Sequence, residues 1–104
     1  MSKRYSNLKH LGYVRTKPCM TCGIEGDTQA HHLMRPWRGI RGMAQRAGDD
    51  NVIPLCVTCH AKLHSMGSEE KFFLKTMGRR DHGQFFARLI WLNSPHYERS
   101  KRDK

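Results

Sequence analysis

Two Cys-x-x-Cys pairs, Cys19-Met-Thr-Cys22 and Cys56-Val-Thr-Cys59, most constrain what this chain can fold into. They use all four of its cysteines and are separated by 33 residues. Each pair can wrap one face of a tetrahedral ion, so four thiolates at this spacing point to one structural Zn²⁺ rather than to disulfides. Metal binding would close the intervening loop and contribute folding energy directly. A chain of 104 residues, 38% hydrophobic, is expected to form one domain with a limited core, which an internal metal staple would reinforce. No apolar run approaches membrane length, and Met1-Ser-Lys-Arg-Tyr-Ser lacks the apolar segment of a signal peptide. The expectation is a cytoplasmic protein with reduced thiols and no membrane partner.

The formal net charge is +10, and the sequence pI is near 10.0. The charge is spread along the chain: residues 1–50 carry 9 Lys/Arg against 4 Asp/Glu, and residues 51–104 carry 10 against 5. Four zinc-bound thiolates would leave the protein strongly basic. Such a surface attracts polyanions, and nucleic acid is the expected one.

Residues 1–16 read as a basic arm or short helix, and Pro18 to Gly23 as a tight metal knuckle. Thr28 to Leu33 predicts a strand. Residues 34–50, with Pro36, three glycines and Arg35, Arg38, Arg41 and Arg46, predict a loop. Val52-Ile53-Pro54 predicts a second strand, ended by its proline. Val57 to Met66 predicts a helix stopped by Gly67. Ser68 can cap a further helix through Met77, with Glu69 and Glu70 in its first turn and Gly78 after it. Asp81-His-Gly-Gln84 has capping-box spacing for a last helix ending near Asn93. The apolar residues Phe85, Phe86, Leu89 and Ile90 share one face of that helix. They suit core packing, with base stacking the lesser reading. The tail from Glu98 to Lys104 is a charge run, either solvated or in contact with DNA.

The histidines carry the second signal. His60 and His64 lie at i and i+4, so on a helix both imidazoles face one way, a common bidentate metal arrangement. Cys59 would lie roughly 100° round the same helix, so one helix can serve two metals from adjacent faces. His31 and His32 are neighbours in a predicted strand, where side chains alternate. One can face the helix and ligate, leaving the other to take a proton from water. An unperturbed pKa of about 6.5 makes the neutral imidazole available for that task. His10, His82 and His96 fit no pattern.

Taken together, His31-His32, Asn51, and His60 with His64 resemble the His-Asn-His order of the HNH endonucleases. The resemblance covers about residues 17–67. His64 resembles an extra histidine of the DNase colicins, and the two Cys pairs resemble the zinc-stapled form common in phage and prophage proteins. Ala30-His-His-Leu-Met, Ala47-Gly-Asp-Asp and Val52-Ile-Pro-Leu-Cys are similar to small phage-encoded members. The implied fold is α+β: a zinc-stabilised treble-clef ββα-metal core over 17–67. The sequence adds C-terminal helices at 68–95 packed on that core and a basic tail at 96–104.

The resemblance implies a role for each matching residue. His32 would be the general base, and Asn51 would hold the backbone near it. His31, His60 and His64 would bind a catalytic divalent metal, while Cys19, Cys22, Cys56 and Cys59 bind a separate structural Zn²⁺. Many members have Asp where this chain has His31. Three imidazoles make a softer site, open to Zn²⁺, Ni²⁺, Mn²⁺ or Co²⁺ as well as Mg²⁺. The partner would be DNA, with a helper protein or an oligomer for specificity. Arg35, Arg38, Arg41 and Arg46 either contact its phosphates, with Trp37 beside the backbone, or form a solvated loop. The competing reading is a zinc-stabilised, non-catalytic DNA-binding module, which would have no need of the histidine set.

Overall fold

The computed structural model describes residues 5–37 and 47–98. Within them the order is α1 (Leu8–Arg15), β1 (Thr28–His32), β2 (Val52–Cys56), α2 (Val57–Met66), α3 (Glu69–Met77) and α4 (His82–Leu92). The described residues thus form a small α+β fold of four helices and one two-stranded sheet. None of these helices is long and apolar enough to cross a membrane.

β1 and β2 pair antiparallel, with His31 opposite Ile53 and His32 opposite Val52. Two strands alone are marginal in water, and this pair is stabilised by burial on both faces. All five residues of β2 are buried. One face contributes Leu33, Ile53 and Leu55 to a core with Leu63 of α2, Phe72 and Phe73 of α3, and Ala87 of α4. The other face contributes Val52, with Ala30 beside it, to a smaller core with Leu11 and Val14 of α1 and Ile90 of α4. Phe86 touches both cores. The N-terminal helix therefore packs on the sheet as part of the domain.

Pro54 does not end the second strand; β2 runs on to Cys56. The physical reason is ladder parity. The Leu33 N–H donates to the Asn51 carbonyl at 2.9 Å, which makes Leu33–Asn51 a hydrogen-bonded pair. Alternate pairs then place Ala30–Pro54 at a non-hydrogen-bonded position. No ladder donor is lost there, and the Pro54 carbonyl faces outward to accept from Met20 N at 2.9 Å.

The helix boundaries follow local chemistry. Asn7 caps α1 by accepting from His10 N at 3.0 Å. Ser68 caps α3 by accepting from Lys71 N at 3.2 Å. Gly67 and Gly78 close α2 and α3 with φ of 70° and 82°, a region that side chains with a Cβ disfavour.

α4 departs from expectation twice. Asp81 makes no side-chain cap, because Arg79 holds both its carboxylate oxygens at 3.0 Å. Gln84 reaches instead to the Arg35 carbonyl at 2.9 Å. The buried face of α4 is Gly83, Ala87, Ile90 and Trp91, while Phe85 and Leu89 are exposed. Small residues let the helix approach closely. A Cβ on Gly83 would meet the Phe73 ring at 2.8 Å and Leu33 at 3.1 Å.

His10 is fully buried, with Nδ1 3.0 Å from Ser94 Oγ and its ring edge-on to Trp91. Its Nε2 has no hydrogen-bond partner among the described residues. Burial lowers its pKa from 6.5 to about 4, helped by repulsion from His96 and opposed by attraction to Asp49.

Two outcomes follow for stability. Gly83→Ala gains about 1 kcal/mol of helix propensity but overpacks a rigid ring, so it should destabilise the fold by about 1–3 kcal/mol in urea unfolding. The unfolded chain protonates His10 near pH 6.5, whereas the folded chain resists until about pH 4. Wild type should therefore lose stability relative to His10→Gln as pH falls between those values, seen as converging urea midpoints.

Candidate functional site

Cys19 and Cys22 sit in a knuckle whose backbone folds on itself. Cys19 N donates to the Ile24 carbonyl and Gly23 N to the Cys19 carbonyl, both at 2.9 Å. Cys56 is the last residue of β2 and also the N-cap of α2, where its sulfur accepts from Cys59 N at 3.4 Å. All four sulfurs lie within 4.8 Å of one another, and none is in a disulfide. Cys22 Sγ and Cys56 Sγ are 3.7 Å apart, close to the edge of about 3.8 Å of a tetrahedron with Zn–S near 2.3 Å.

The thiols do not share charge evenly. Burial would push the Cys19 thiol up, but the Thr21 hydroxyl and nearby backbone N–H groups override it and bring its pKa down to about 6. Burial and the crowding of the other sulfurs push Cys59 up to about 12. A cation at the centre would relieve that crowding, so the donor set fits a structural metal.

The second group uses the adjacent face of α2. His31 Nδ1 is 3.0 Å from His60 Nε2, and His60 Nε2 is 3.1 Å from His64 Nε2. His31 is buried, while His64 is exposed, so the trio opens toward solvent at one end. The outer nitrogens explain the arrangement. His31 Nε2 lies 2.8 Å from Glu69 Oε2, and His60 Nδ1 lies 2.5 Å from Gln29 Oε1. A neutral imidazole carries one N–H, and in both rings that proton faces an acceptor. His31 Nδ1 and His60 Nε2 are then two lone pairs at 3.0 Å with no proton between them. A cation resolves that contact, and nitrogens about 3.0–3.4 Å apart suit a metal bound at about 2.1 Å. Burial, followed by the neighbouring His31 and His64, lowers the His60 pKa, which favours the neutral, ligating form.

His32 points to the opposite sheet face, toward α1, as strand alternation requires. Its Nε2 is 2.8 Å from Asp49 Oδ1. Asn51 precedes β2 and is fully buried. Its Oδ1 accepts from Trp37 N at 2.7 Å and its Nδ2 donates to Asp50 Oδ1 at 3.0 Å. It thereby ties the segment that follows His32 to the start of β2. Trp37 turns inward, donating its indole N–H to the Asp50 carbonyl at 2.7 Å and packing on the larger core, rather than lying on the surface. Arg35 is 73% exposed and pairs with Glu70 at 2.9 Å. Arg38, Arg41 and Arg46 lie outside the described residues.

Three partners escaped sequence reasoning. Glu69 reads as an ordinary first-turn acid, yet it is buried against His31 and accepts from Met34 N at 3.1 Å. Gln29 carries no motif, and Asp49 lies in the Ala47-Gly-Asp-Asp stretch without any role being read from it. Gln29 could have been found from strand parity, since it lies two residues before His31 on the same face. Glu69 and Asp49 come from other segments and have no such signal.

A family described as "Protein of unknown function (DUF968)" matches residues 1–84. The chain belongs to that family. Both cysteine pairs, the three clustered histidines, His32, Asn51 and Glu69 all fall within the matched span. "Uncharacterized protein YdfU" of Escherichia coli (strain K12) is 36% identical over 72 residues, covering 67% of this chain and 20% of that protein. This DUF968 member thus spans about a fifth of the length of that relative. No solved structure matches it.

Because Glu69 orients His31, Glu69→Gln should weaken metal binding at the histidine trio by about 10–100-fold. The four-sulfur site should keep its zinc. Calorimetric titration of the zinc-loaded protein with Co²⁺ or Ni²⁺, alongside elemental analysis, reads the two sites separately.

Proposed function

We propose that this chain is a metal-dependent HNH endonuclease that hydrolyses phosphodiester bonds in DNA, with a zinc-stapled treble-clef ββα-metal core. One observation carries the reading. Three imidazoles from β1 and α2 converge, two of them through facing lone pairs, and the next residue of the same strand presents a fourth imidazole with its own carboxylate partner. The knuckle, the antiparallel pair and a helix that begins on a cysteine support the treble-clef assignment.

His31, His60 and His64 would hold a divalent cation, with Mg²⁺, Mn²⁺, Ni²⁺, Co²⁺ and Zn²⁺ the candidates. When bound, it supplies Lewis-acid stabilisation of negative charge on the phosphate and the leaving oxygen. His32 accepts a proton from water as the water oxygen bonds to phosphorus and the bond from phosphorus to the 3′ oxygen breaks. Asn51 keeps the segment after His32 in register with β2. Glu69 and Gln29 fix the ring orientations of His31 and His60. The net charge of +10 draws in DNA, with Arg35 on the exposed surface.

His32→Ala should retain zinc and fold, because the ring lies outside both metal groups. Its rate of supercoiled-plasmid nicking should fall at least ~100-fold. An unchanged rate would remove His32 from the chemistry. A folded, zinc-loaded wild type that cuts nothing with any of the five ions would favour the non-catalytic DNA-binding module.

A further inference from the structure

The ring of His32 is held by a carboxylate that is itself fixed at both oxygens. Asp49 is 1% exposed and His32 is 9% exposed. Asp49 Oδ1 faces His32 Nε2 at 2.8 Å. Asp49 Oδ2 accepts from the backbone N–H of Asn7 at 2.8 Å, and Asp49 N donates to the Tyr5 carbonyl at 2.9 Å. Asn7 is held in turn, since its side chain caps α1 and donates to the His96 carbonyl at 3.1 Å. The carboxylate therefore cannot swing away from the ring without giving up its bond to the backbone of Asn7, the N-cap of α1. Among the described residues, Nδ1 of His32 has no hydrogen-bond partner.

We infer that Asp49 is a positioning residue that locks His32 in the Nε2–H tautomer, so that Nδ1 presents the lone pair that receives the proton. The inference rests on the endonuclease reading for what His32 does, but not for how its ring is held. An ionised carboxylate only accepts, so the single N–H of the neutral ring must lie on Nε2. When Nδ1 takes a proton from water, that O–H bond breaks and an N–H forms. The Nε2–H continues to face Asp49, whose charge stabilises the resulting imidazolium. The same logic orients the histidine of a Ser-His-Asp triad, where a carboxylate fixes the tautomer without itself being protonated.

The geometry also says which substitution is diagnostic. Both Asp49 oxygens face donors, whereas an asparagine offers one acceptor and one donor. The backbone N–H of Asn7 cannot change its role, but an imidazole can change tautomer. In Asp49→Asn the amide oxygen should therefore stay on Asn7. The amide NH₂ should face His32 Nε2 and force the ring proton onto Nδ1. The shape of the side chain is preserved, and the lone pair is lost from the side where it is needed.

The test is ¹⁵N NMR of the imidazoles in the zinc-loaded, full-length protein, with plasmid cleavage kinetics on the same samples. Wild type should carry the His32 proton on Nε2, and Asp49→Asn should carry it on Nδ1. The variant's kcat should fall by ~100-fold or more while KM stays within ~3-fold, the pattern of a lost base rather than lost binding. A wild-type His32 protonated on Nδ1 would overturn the proposal even if the variant failed to fold. So would a variant whose tautomer is unchanged, or one that inverts the tautomer yet keeps its full kcat. Inversion in a protein that cleaves no DNA would uphold the hold of Asp49 on the ring and count against the endonuclease reading alone.

Discussion

The rest of this structure depends on four sulfurs meeting at the junction of β2 and α2. Cys56 ends the strand, caps the helix and joins the sulfur group, all with one side chain. That coincidence fixes the angle at which α2 leaves the sheet. Because Cys59 and His60 are consecutive on α2, fixing the helix by its sulfurs also fixes where the His60 and His64 imidazoles point. A two-stranded sheet has too little surface to impose that orientation by packing alone.

The sheet then divides the labour between its faces. On one face His31 meets α2 and α3, with Glu69 and Gln29 supplying acceptors to the outer nitrogens of the trio. On the other, His32 meets Asp49 and the start of α1. Adjacent residues of one short strand are thereby given different chemistry by neighbours from distant parts of the chain. On the proposed reading, metal binding and proton transfer are separated by one residue of sequence and by the thickness of the strand.

The sequence reading of Pro54 and α4 failed for reasons that are themselves instructive. Whether a proline ends a strand depends on which pairs exchange hydrogen bonds, and that parity is set by the partner strand. Whether Asp81 caps a helix depends on Arg79, two residues earlier, winning its carboxylate. The apolar stripe of α4 was visible, but the buried face turned on Gly83 and Ala87, small residues that no hydrophobic pattern highlights. At Gly83 the small residue is required by how closely Phe73 approaches.

Spacing along the chain determined the cysteine quartet, the paired histidines of α2, the alternation of His31 and His32, and the helix limits at Gly67, Ser68 and Gly78. Each of these is a local property: ligand spacing, helical or strand periodicity, or the backbone freedom of one residue. Tertiary structure alone decided that Glu69 and Asp49 are buried beside His31 and His32. It also decided that Asn51 holds Trp37 and that His10 lies neutral against Trp91. Those partners come from segments 14 to 84 residues apart. The energy of a buried carboxylate or imidazole depends on what folding places next to it, and no local pattern encodes that.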